Sequence, residues 1–148
     1  MWKQSVETRL QKWKRFRVNQ STKSLAIAIQ ETCDLWATTP FTPFFLDPAQ
    51  PSSWPDPWTL ISDNYYCDLA RVLGIVYTLM LSDHATNLVP EIRVYTAPNT
   101  QYNYIVAWFN DGEYIVNVQD HEVLNLEQFD KNLVLKFKYG LDVLNLEK

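Results

Sequence analysis

Between residues 2 and 37 apolar side chains recur every three to four positions, whereas from residue 90 onward they recur every second one. This change of period divides the chain into a helical first half and a stranded second half. Trp2, Val6, Leu10, Trp13 and Phe16 or Arg17 fall on one face, so the spacing predicts an amphipathic helix over 2–17. The polar run Asn19-Gln20-Ser21-Thr22 breaks it, and Ser21 reads as the N-cap of a second helix over roughly 22–37. A third helix is expected over about 64–82, capped by Asp63 or Asn64. Beyond Arg71 it is apolar on every side (Val72, Leu73, Ile75, Val76, Tyr77, Leu79, Met80, Leu81), the signature of a buried central helix. Strands are expected over Glu91–Ala97, Tyr102–Phe109, Glu113–Gln119, Glu122–Leu126 and Asn132–Tyr139, with a hairpin at Asn110-Asp111-Gly112. Helices followed by an antiparallel β-meander make an α+β fold. The core is expected at Leu69, Leu73, Val76, Tyr77, Met80, Val94, Val106, Trp108, Val116, Val118, Leu133 and Leu135.

The 148 residues fit one domain. Within it, 1–20 reads as a basic helical arm, 38–58 as a wrapping loop and 59–148 as the α+β core. The loop holds six of the eight prolines together with Phe41, Phe44, Phe45, Trp54 and Trp58, too many aromatics for a solvated linker, so it is expected to press against the body. Three isolated glycines (Gly74, Gly112, Gly140) exclude a glycine-rich phosphate loop.

Charge is unevenly spread. Residues 1–24 carry seven basic side chains against Glu7, whereas the remainder carries six basic and sixteen acidic ones. A basic arm on an acidic body suits docking to its own body, to another subunit or to a polyanion. Trp2, Leu10, Lys12, Trp13, Lys14, Arg15, Phe16 and Arg17 are the expected partner-binding residues, and the acidic remainder favours protein over nucleic acid as the partner. The partner is expected to be another protein, with a second copy of this chain as an alternative. The longest apolar stretch, Leu73 to Leu81, is too short to span a bilayer, so no membrane insertion is expected. Two cysteines and no apolar leader point to a reducing, cytoplasmic setting.

Cys67 is the main candidate for chemistry. A cysteine in the first turn of a helix sits where the backbone amides stabilise a thiolate, although most free cysteines are simply small buried hydrophobes. A nucleophile also needs a base, and His84 and His121 are the only histidines. Neither begins one of the two strands after the central helix. No cysteine or histidine pair has metal-ligand spacing, so neither a metal nor a cofactor is expected.

The run Trp54-Pro-Asp-Pro-Trp-Thr-Leu-Ile61, then Tyr66-Cys67-Asp68-Leu69-Ala70, Asn103-Tyr-Ile-Val-Ala-Trp-Phe109 and Glu113-Tyr-Ile-Val-Asn117-Val118 resembles the transglutaminase-like branch of the papain-type thiol enzymes. That resemblance implies a nucleophile at Cys67, a histidine position at or beside Asn103 and an aspartate position at Asn117. Neither amide can accept a proton at neutral pH or steady an imidazolium, so the resemblance implies a scaffold with a degenerate triad. Over nearly its whole length, including Asn64-Tyr-Tyr-Cys-Asp-Leu-Ala-Arg-Val-Leu-Gly-Ile-Val-Tyr-Thr-Leu79 and Asp142-Val-Leu-Asn-Leu-Glu147, the chain also resembles a small protein family of T4-like bacteriophages, including those of cyanobacteria.

These readings together lead to the expectation of a non-enzymatic bacteriophage protein acting by protein–protein contact, as a tail or virion component or an assembly factor. Its expected partners are other phage proteins or a host protein, in the host cytoplasm or the virion. The alternative is a transglutaminase-like or peptidase-like thiol enzyme using Cys67 with His84 or His121 as base. A second alternative is a nucleic-acid-associated protein bound through its first helix.

Overall fold

A computed structural model describes residues 1–144 and 146. Helix α1 spans Val6–Gln20 and α2 spans Leu25–Ala37. Ser5 caps α1 by accepting from Thr8 N (3.3 Å), and Ser24 caps α2 by accepting from Ile27 N (3.4 Å). Ser21, expected to cap α2, instead closes α1 and accepts from Asp83 N.

A helix not expected from the sequence begins where the Pro-rich stretch ends. Helix α3, Pro57–Asp63, begins on an Asp-Pro pair. Asp56 accepts from Thr59 N (2.8 Å), and Pro57 fills the first turn, where its missing N–H costs nothing. Asn64 ends the helix in the left-handed region (φ 59°). The central helix α4 therefore runs Asp68–Met80, starting four residues later than expected, with Cys67 as its N-cap.

Both N-terminal helices are held on α4. Trp13 Nε1 (2.9 Å) and Trp36 Nε1 (3.0 Å) donate to the same Thr78 Oγ1, whose own proton goes to Gly74 O (2.6 Å). The Trp36 indole lies where a side chain on residue 74 would be, so a Cβ there would come within 2.4 Å of the ring. Arg9, buried, donates to Ile61 O (3.2 Å), Ser62 O (3.0 Å) and Gln4 O (2.6 Å), tying α1 to α3. The basic arm is thus docked on its own chain.

Five strands form one antiparallel sheet: β1 Pro90–Thr96, β2 Asn103–Phe109, β3 Tyr114–Asn117, β4 Glu122–Leu124 and β5 Val134–Tyr139. Their order is β4-β3-β2-β1-β5. The first four strands form the expected meander, but β5 crosses to the far edge and pairs with β1, Ile92 opposite Tyr139. The hairpin at Asn110-Asp111-Gly112 forms with all three residues at positive φ, which Asn, Asp and Gly tolerate best.

Ile92, Val94, Ile105, Ala107, Phe109, Val116 and Val118 pack with α4 in the main core. Tyr95, Val106, Trp108 and Ile115 form a second cluster on the opposite face, closed by Phe129. Arg93 caps that cluster, its guanidinium 3.8 Å from the Trp108 ring centre. Leu135, expected in the core, is 45% exposed because β5 is an edge strand, and Met80 and Leu133 are only partly buried. Among the described residues no helix is long and apolar enough to cross a membrane.

Two substitutions test this packing. Gly74→Ala should cost about 1–3 kcal/mol through the collision with Trp36. Thr78→Val keeps the shape but strands two buried indole N–H groups and should cost at least about 2 kcal/mol. Chemical denaturation reads both effects.

Candidate functional site

The placement of Cys67 follows from what precedes it. After Asn64 turns the chain, Tyr66 is pinned by a parallel bridge to Phe41, with Thr42 N donating to Tyr66 O (3.0 Å). Cys67 is therefore extended (φ −79°, ψ 178°), and its carbonyl accepts from Arg71 N (3.0 Å) as the first helical bond. Its thiol makes no capping bond and sits at the N-terminus of α4, 4% exposed.

A cavity of about 580 Å³ opens beside it. The Pro/aromatic loop supplies Phe41, Pro43, Phe44, Leu46 and Pro48. The start of α4 supplies Cys67, Asp68 and Leu69. Strand β2 and the residues before it supply Gln101, Tyr102, Asn103 and Ile105. The loop wall is fixed to the body at its far end, where Tyr139 donates to Pro48 O (2.7 Å) and Tyr77 donates to Pro55 O (2.7 Å), and it is braced internally by Trp54 Nε1 donating to Asp47 O (2.9 Å). Of the loop's aromatics only Trp54 is buried; Phe41, Phe44, Phe45 and Trp58 remain exposed, contrary to the expected close wrap.

The cavity wall carries the polar side chains of Asp68, Gln101, Tyr102 and Asn103. Asn103 Oδ1 is buried without a partner among the described residues. Asp68 Oδ2 accepts from Gln119 Nε2 (2.7 Å), which also contacts the Tyr102 hydroxyl. Burial pushes the Asp68 carboxyl above the usual carboxylate range, while the Gln119 hydrogen bond and Arg71 pull it back. Arg71 contributes little because its guanidinium is engaged elsewhere. Nε donates to Thr39 Oγ1 (2.7 Å), Nη2 donates to Thr39 O (2.8 Å), and Nη1 stays 4.0 Å from Asp68.

Asn103 and Cys67 thus line one cavity. Asn117 does not join them. Val116 and Val118 on either side of it face the α4 core, so strand alternation turns Asn117 to the opposite face, where its Nδ2 donates to Asp120 Oδ2 (2.9 Å). His84 lies beyond the C-terminal end of α4, about 20 Å along the helix from Cys67, with its Nε2 2.8 Å from Gln20 O. His121 Nε2 pairs with Asp34 Oδ1 (2.6 Å) on α2. Among the described residues no hydrogen bond joins either imidazole to Cys67, and no three His, Cys, Asp or Glu side chains group as a metal site would require. Asp68, Gln119 and Tyr102 were not expected in the site. Gln119 lies sixteen residues past Asn103 with no motif around it, and only the β2–β3 hairpin brings it back.

The residues expected to bind a partner divide differently. Trp2 and Trp13 are buried in this chain's own core, and Leu10 packs against it, so the two tryptophans face no partner. Arg17 stacks on Trp13 (4.3 Å) and Trp58 (5.4 Å), and burial pulls it below the usual guanidinium range. Lys12 and Phe16 are half-buried; Lys14 and Arg15 are exposed.

No protein-family model matches the chain. No curated protein sequence matches it either. Solved structures do. Calcium-bound LapG of Legionella pneumophila superposes with a TM-score of 0.71 at 12% identity, over 93% of this chain and 77% of that one. EGTA-treated LapG gives 0.69 at 13%, over 90% and 73%. This chain has a transglutaminase-like α+β fold. At such identities the likeness extends to the fold alone.

The two thiols should differ in reactivity. Cys33 is fully buried, and burial pushes it up to about 12, with Asp34 and Glu122 adding to the effect. Cys67 borders the cavity. Iodoacetamide at pH 8 should therefore modify Cys67 in the folded protein and leave Cys33 until denaturant is added, as read by peptide mass spectrometry.

Proposed function

We propose that this chain acts through the Cys67 cleft, as a transglutaminase-like thiol scaffold that engages peptide segments without turning them over. One observation carries the reading. The thiol sits at a helix N-terminus on a roomy, largely apolar cavity, as a nucleophile would, yet Asn103, which the sequence resemblance puts at or beside the base position, is an amide on the wall of that cavity. Asn103 cannot take a proton from a thiol, and Asn117 faces the other side of the sheet. A cleft of this size and mixed polarity holds an extended segment or a small ligand.

The fold likeness favours a second reading, a peptidase-like or transglutaminase-like enzyme with Cys67 as nucleophile. It requires a base delivered to the thiol by a bound substrate or by movement of the 119–121 turn. A tail, virion or assembly role draws support only from the sequence resemblance to T4-like phage proteins. Neither the cleft nor the fold likeness adds to it, and the basic arm that motivated it is docked on its own chain.

Fluorescence polarisation with labelled peptide pools tests the cleft. Carbamidomethylation of Cys67 places bulk inside the cavity and should weaken binding at least about tenfold, roughly 1.4 kcal/mol. Equal binding by the alkylated protein would place the peptide site elsewhere.

A further inference from the structure

We infer that the cleft selects a basic side chain, an arginine or lysine of the bound segment, with its cationic head against Asp68 and Asn103 and its methylene stem along the aromatic rim. The inference rests on the cleft being a peptide site and adds what that site recognises.

Three independent features lead there. The first is an unpaired acceptor. Asn103 lines the cavity, and its Oδ1 is buried without a partner among the described residues. A buried unpartnered acceptor costs about 1–3 kcal/mol, and a turn of the Asn103 amide toward an N–H-rich ligand in the cavity removes that cost.

The second is an underpaired carboxylate. Asp68 has one amide donor and a guanidinium no closer than 4.0 Å, because Arg71 is committed to Thr39 and to the Phe41 ring (5.2 Å). Burial acts on Asp68 more strongly than these partners do. A cation entering the cavity completes the pairing. The charge balance beyond residue 24, six basic against sixteen acidic residues, attracts cations to this body.

The third is the rim. Phe44 is 98% exposed and held at φ 56°. A bulky residue in the left-handed region costs about 1–2 kcal/mol, and a solvated ring returns nothing for it in the free protein. Phe41 and Tyr102 are also exposed at this cavity. Aromatic faces beside a carboxylate suit an alkyl stem ending in a cation, and a planar guanidinium both stacks on rings and bridges two acceptors.

The test uses the full chain and N-acetylated, labelled pentapeptides differing only at the central residue: arginine, citrulline, norleucine or glutamate. Arginine should bind at least tenfold tighter than citrulline, which has the same shape without the charge, and added salt should reduce that advantage. Asp68→Asn, with its helical circular dichroism unchanged, should abolish the preference while norleucine binding persists. Equal affinity for arginine and citrulline, or a preference that survives Asp68→Asn, would overturn the inference and leave the peptide site standing. A second measurement separates the two ideas. Acetyl-arginine amide should slow iodoacetamide modification of Cys67 more than acetyl-citrulline amide does, even if no pentapeptide binds. If pentapeptides fail and the two amides protect equally, both the peptide site and its basic specificity fall.

Discussion

One hydroxyl organises this molecule. Thr78 Oγ1 accepts from two indole N–H groups, one on α1 and one on α2, and returns its proton to the α4 backbone. An indole N–H buried without an acceptor is costly, so it is this hydroxyl that lets both tryptophans bury against α4. The glycine one turn earlier lets the Trp36 ring lie flat against the helix. With its flanks covered by helices and its remaining face by the sheet, α4 is a fixed axis. The direction of that axis decides which end, and so which residue, meets the cleft.

At that end, Cys67 borders the cavity with Asp68, Tyr102 and Asn103, and Gln119 donates to Asp68. Acyl transfer at a thiol needs a group that takes the thiol proton and later returns it to the leaving group. The amides of Asn103 and Gln119 do neither, and among the described residues no hydrogen bond joins Asp68 to the thiol. On the proposed reading the same groups serve recognition. Acceptors held by rigid elements, one wall of aromatic rings and a pinned loop make a site that is preorganised for a donor-bearing guest.

Much of the architecture was legible in the sequence because it depends on local periodicity. The all-round apolar run from Val72 to Leu81 marked the buried helix, and Asn110-Asp111-Gly112 marked the hairpin. Three features were not legible, each for a physical reason. The density of prolines at 38–58 masked α3, although Asp56-Pro57 carries both a capping carboxylate and a proline suited to a first turn; missing α3 also moved the start of α4 and hid the N-cap role of Cys67. Pairing of β5 with β1 joins segments about 45 residues apart, and nothing in either strand names its partner. Asn117 sat correctly on a strand, but its face depends on register, and one residue decides it. Docking of α1 on its own body was among the options its amphipathic face allowed, but the sequence did not single it out, since the acceptor for Trp13 lies 65 residues away.

The central claim is that the Cys67 cleft holds a segment without chemically changing it. The most direct measurement is the intact mass of a bound peptide, and of the protein, after prolonged incubation of wild type and Cys67→Ala. The account predicts an unaltered peptide and no acyl adduct on the protein in both cases. Cleavage or amide exchange that proceeds with the wild type and vanishes in Cys67→Ala would contradict it.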